Sequence, residues 1–125
     1  MGFQFYNPHP RGKFVGDCAK RAICKVTGRD YTDVKRELNR IKNETGRFNC
    51  QSIGVINEFA ARHHWIRINI EDDTVMTGEE FCQAYPIGTY ALIMPRHMVA
   101  CVDGIIYDHG ERVLQWYVSY AWMVK

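Results

Sequence analysis

The chain has no Cys-x-x-Cys spacing, no block of about five or six like charges, and no apolar stretch near the roughly 18 residues a membrane span needs. Each absence excludes something. Its five cysteines are an odd number at irregular spacing, which argues against a disulfide framework and against a zinc-finger site. The first seven residues show no positive segment leading into an apolar run, so the expectation is a cytoplasmic protein with no membrane partner. Neither an internal repeat nor a low-complexity segment breaks the sequence.

What is present fits one soluble globular domain over residues 1–125: 46% hydrophobic and 24% charged residues, with a formal net charge of +2. A chain of this size buries roughly two-thirds of its unfolded surface, enough for stability without metal or disulfides. The basic residues are the more frequent in the first half, but they are spread from Arg11 to Lys42 as a solvated helix surface is. No nucleic-acid partner is expected.

Periodicity divides the chain in two. Residues 1–16, with Pro8, Pro10, Gly12 and Gly16, read as an extended entry loop. Asp17 is placed to cap a first helix whose stripe is Cys18, Ala19, Ala22, Ile23 and Val26, stopped by Gly28. A second helix is marked by Val34, Leu38 and Ile41 behind a cap at Thr32, and a third starts near Cys50-Gln51-Ser52 and carries Ile53, Ile56, Phe59 and Ala60. Residues 65–70 alternate as a strand, and Thr77 with Glu80 has the spacing of a capping box before a short helix. From Gly88 onward the pattern is an antiparallel sheet: strands over 90–94, 97–102, 105–107 and 113–120, with Asp103-Gly104 as a tight hairpin turn. Helices first and sheet second define an α+β fold.

Two residues stand out chemically. Cys18 falls in the first turn of a helix, where the dipole and unpaired N–H groups favour the thiolate. His97 opens the apolar strand 97–102 and is the candidate base. Continuing the ladder from the Asp103-Gly104 turn sets His97 opposite Gly110, with Asp108 on the diagonal and on the same face. Asp108 is therefore the candidate orienter of the imidazole, and Asp103 is a turn residue. The same parity places His109 on the opposite, exposed face.

The stretches Gly16-Asp17-Cys18-Ala19-Lys20-Arg21-Ala22, Gly88-Thr89-Tyr90 and His97-Met98-Val99-Ala100-Cys101-Val102-Asp103-Gly104-Ile105-Ile106-Tyr107-Asp108 resemble small bacterial and phage members of the papain-like cysteine peptidase superfamily. The bacteriocin-leader peptidases of ABC transporters are similar more distantly. The resemblance spans about residues 12–110 and implies N-terminal helices, with the nucleophile on the first, packed on a C-terminal antiparallel sheet. It also implies a catalytic Cys18, His97 and Asp108. Where papain-like enzymes carry a glutamine shortly before the cysteine, this chain reads Arg11-Gly12-Lys13-Phe14-Val15, so an amide donor to the oxyanion has to come from Asn7 or Gln4, or the donors are backbone groups alone.

The expected function is that of a cysteine hydrolase or acyltransferase acting on a peptide or amide bond through an acyl-enzyme, with a peptide or protein substrate and without cofactor or metal. Isopeptidase, deamidase and transglutaminase-like reactions use the same constellation. The alternative is an inert binding protein on the same scaffold. Cys50 opens the third helix and is the rival nucleophile, while Cys24, Cys82 and Cys101 read as core residues. His63-His64 ends a helix and lacks partners for a metal. Trp116, Tyr117, Tyr120 and Trp122 read first as packing and second as the wall of a groove beside His97.

Overall fold

The computed structural model describes residues 2–70 and 75–124. Four α-helices, α1 (Cys18–Thr27), α2 (Tyr31–Thr45), α3 (Ile53–Arg62) and α4 (Gly78–Ala84), accompany six strands. The strands are β1 (Gly2–Phe5), β2 (Ile66–Asn69), β3 (Thr89–Met94), β4 (His97–Val102), β5 (Ile105–Asp108) and β6 (Tyr120–Met123). They form one mixed sheet in the order β1-β5-β4-β3-β6-β2.

Gly28 ends α1 in the left-handed conformation, and α2 is capped not by Thr32 but by Asp30, two residues earlier, whose side chain accepts from Thr32 N. Thr77 and Glu80 form a reciprocal capping box on α4. The third helix begins at Ile53 with Ser52 at its cap, so Cys50 lies in the turn before it rather than in its first turn.

The sheet has an apolar layer on each face. On one face Ala19, Ala22, Ile23 and Val26 of α1, Val34, Leu38 and Ile41 of α2, and Val55, Ile56 and Phe59 of α3 close over Ala91, Ile93, Met98 and Ala100. On the other, Phe81 and Cys82 of α4 pack with Leu92, Met94, Val99, Cys101 and Ile106. Fully burying a side chain such as Ile23 contributes about 1.5–3 kcal/mol. The central strand β4 therefore has four consecutive buried residues, Met98–Cys101, instead of an alternating pattern.

The Asp103-Gly104 turn is as expected: both residues have positive φ, 50° and 77°, and Val102 pairs with Ile105. Three expectations need correction. The entry segment is not all loop, because Gly2–Phe5 pairs in parallel with β5, from Gly2↔Ile105 to Phe5↔Asp108, and the sheet is therefore mixed rather than antiparallel. Parallel pairing is set by tertiary contact and leaves no hairpin signal in the sequence. Residues 113–120 are not one strand: Glu111–Gln115 is a 3-10 helix that buries Val113 and Leu114, and pairing resumes in β6. As a result Trp116 and Tyr117 are exposed, while Trp122 is buried.

Candidate active site

The helix α1 packs against β4, which brings the first residue of one beside the first residue of the other: Cys18 and His97. Both line a cleft of about 570 Å³, together with Asp17, Arg21, Gln51, Arg96, Asp108, Arg112 and Trp116. A second depression of about 420 Å³ continues from the same Cys18–His97 pair toward Ile53, Ile56, Ile93 and Met98.

His97 Nε2 lies 2.6 Å from Asp108 Oδ2. Because an ionised carboxylate only accepts, this contact fixes the proton on Nε2 and leaves Nδ1 as the ring nitrogen for the thiol. Trp116 covers the imidazole edge-on, with ring centroids 5.2 Å apart at 81°.

Asp108 is itself held. Its Oδ1 accepts from Arg21 Nη2 at 2.7 Å, and Arg21 Nη1 donates to Asp17 Oδ1. Tyr31 donates its hydroxyl to the other Asp17 oxygen at 2.8 Å. Asp17, Arg21 and Asp108 are the buried charged residues of the described chain, each at most 5% exposed. Two buried carboxylates face one guanidinium, so charge balance calls for a second cation, and the His97 imidazolium supplies it.

The ionisations follow from this arrangement. For Cys18, burial pushes the thiol up, but the hydrogen bond and charge of His97, the main chain of Met98 and the Arg21 charge outweigh it, so the thiol lies below its ordinary value. For His97, burial acts downward, and the hydrogen bonds to Asp108 and Cys18 together with their charges push it up to about 9. Asp108 is raised by burial but lowered more by His97 and Arg21, so it lies below the usual carboxylate range. All three directions favour a thiolate–imidazolium pair.

Asp17 occupies the cap position of α1 without capping it; its side chain makes no bond to the helix N–H groups and is turned to Arg21 and Tyr31. The cap comes instead from Gln51. Its Oε1 accepts from Ala19 N at 2.9 Å and Lys20 N at 3.4 Å, and its Nε2 donates to Gly16 O. Arg21 N bonds Asp17 O. Among the described residues the Cys18 N–H is therefore the one main-chain donor of this first turn left without a partner.

No protein-family model matches the chain, and neither a curated protein nor a solved structure does.

The site thus joins Cys18, His97 and Asp108, and leaves Asn7 out of the cleft: its Nδ2 donates to Lys13 O and its Oδ1 accepts from His9 N in the entry loop. Gln4 is in β1, its amide on Phe5 O. The rival Cys50 packs against the helical core and lines neither depression. His109 is half-buried against Phe5 and Phe14 rather than exposed, because the pairing of β4 with β5 stops at Ala100↔Tyr107 and its side-chain parity no longer applies there. His63 bonds Glu37 at 2.7 Å, and the described residues hold no group of three His, Cys, Asp or Glu suited to a metal. Sequence reasoning missed Arg21 and Gln51 as parts of the site. Arg21 sits four residues after Asp17 in an i, i+4 relation, which is a usable signal. Gln51 gives none, since its target lies 32 residues away.

Proposed function

We propose that the chain is a papain-like cysteine hydrolase or acyltransferase that acts on a peptide or amide bond, with Cys18 as nucleophile, His97 as acid and base, and Asp108 orienting His97. The observation that carries this reading is the juxtaposition of a helix-start thiol with an imidazole whose far nitrogen is held by a buried carboxylate.

In this reading the Cys18 thiolate adds to the substrate carbonyl, and the free Cys18 N–H donates to the oxyanion that forms; one such donor is worth about 10²–10³ in rate. The imidazolium gives its Nδ1 proton to the leaving amine as the carbon–nitrogen bond breaks, which leaves an acyl-enzyme and neutral His97. Water or an amine then attacks the thioester, with His97 taking the proton and Cys18 leaving as thiolate. Asp108 and Arg21 keep the ring in one tautomer throughout.

The test is the pH dependence of iodoacetamide labelling of the five free cysteines, followed by mass spectrometry on the wild-type chain and on His97→Ala. Cys18 should label first at about pH 6 and lose that lead in the variant. Slow labelling of Cys18, indifferent to His97, would instead favour the binding-protein alternative.

A further inference from the structure

The walls of the cleft are cationic, and among the described residues their positive charge is not cancelled. Arg96 and Arg112 line it and are exposed, with no carboxylate partner among the described residues. The two acids that line it, Asp17 and Asp108, are both engaged, by Arg21 and Tyr31 in one case and by Arg21 and His97 in the other. A third depression, adjoining through Val15, adds Arg11, Lys13 and Lys35 and no acidic residue. For a chain of net charge only +2 this is a local concentration of charge around one nucleophile.

Arg96 provides a separate argument. It follows Pro95 in the two-residue connection between Met94 and His97, with φ of 57°. Proline then a positive φ is the pattern of a turn whose third position favours glycine or asparagine, and a long side chain there is conformationally costly. The residue immediately before the base thus holds a strained conformation and lines both depressions. Across the Cys18–His97 pair the continuing depression is largely apolar, lined by Ile53, Ile56, Ile93, Met94 and Met98 together with the polar Asn49 and Gln51 and with Arg96.

We infer that the substrate is an acidic peptide, carrying a carboxylate beside the reacting amide for Arg96 and Arg112 and an apolar side chain for the depression between α3 and β3. This rests on the hydrolase reading above and names the substrate class for the same site. The apolar depression argues for a peptide over a nucleic acid, which has no branched aliphatic group to fill it.

The experiment uses a matched pair of peptidyl chloromethyl ketones that share an isoleucine and differ only in a Glu or Gln next to the reactive residue. Labelling rates of Cys18 are compared in the wild-type chain, Arg96→Gly, Arg112→Gln and the double variant. The wild-type chain should take the Glu probe about fivefold faster, the ratio falling toward one in the double variant and in high salt. Arg96→Gly should keep or raise the thermal midpoint while lowering the ratio, which a structural role for Arg96 would not do. A wild-type ratio near one, or a ratio the double variant leaves alone, overturns the inference but not the hydrolase reading. Failure of either probe to label Cys18 ahead of the other thiols sinks both. Protection of Cys18 by a single-stranded oligonucleotide at concentrations where poly-glutamate gives none also overturns it, in favour of a nucleic-acid ligand.

Discussion

Arg21 Nη2 reaches Asp108 Oδ1 at 2.7 Å, joining the first turn of α1 to the last residue of β5 across 87 positions of sequence. The same guanidinium holds Asp17, so one side chain bridges two buried carboxylates, and the His97 imidazolium completes the charge balance.

Arg21→Gln should therefore destabilise the protein by about 3–5 kcal/mol, because it leaves buried charge uncompensated. Urea unfolding measures this. Adding Asp17→Asn to Arg21→Gln should recover part of the loss, and a double variant no more stable than the single would show that charge is not the reason.

Activity should have a bell-shaped pH profile, its acid limb reporting the depressed thiol and its alkaline limb the imidazolium, near pH 9, whereas alkylation of Cys18, which needs no proton donor, should keep the acid limb alone. Asp108→Asn removes the strongest upward influence on His97 and should move the alkaline limb to lower pH; a limb that stays near 9 would mean another group sets it.

Stability should depend on pH at both ends, and the signs differ. His97 is raised in the folded chain, so its contribution is fully present below the ordinary histidine value and is lost as pH rises through about 9. Asp108 is depressed, so its contribution is present above the ordinary carboxylate range and is lost as pH falls through the lowered value. Unfolding midpoints across pH should show both slopes, with the alkaline one shallower in His97→Gln but not abolished, because Cys24, which burial pushes up to about 12, adds a slope of the same sign above the ordinary thiol range.

Gln51→Ala should cost about 1 kcal/mol, the usual loss of a helix cap, and slow Cys18 labelling by freeing the first turn. Gln51→Glu keeps an acceptor for Ala19 N but sets a negative charge beside the thiolate. Calorimetry should find it less stable than wild type, because the donor to Gly16 O is lost, while the pH midpoint for Cys18 labelling rises.

Cys18, His97 and Asp108 were legible because each is marked by local rules: a helix start, a strand start, and a two-residue turn that folds β5 back along β4 toward His97, although the pairing itself ends at Ala100↔Tyr107. The arrangement around them was not. Asp17 looks like a cap from sequence, and only the fold reveals that Gln51 has taken that role and freed Asp17 for Arg21. The apolar residues of 113–120 suited a strand equally well, since short apolar runs do not distinguish a strand from a tight helical turn. Gly2–Phe5 had no neighbour in sequence to announce its pairing.

That pairing also orders events in time. Gly2 N bonds Gly104 O and Tyr6 N bonds Asp108 O, so on a growing polypeptide the opening strand has to wait until residues 104–108 have been made. The helix bearing Cys18 forms from local contacts and can be present early, whereas the carboxylate that holds His97 is fixed only by a late, long-range closure. A nascent or partly unfolded chain therefore carries Cys18 before Asp108 is set beside the imidazole.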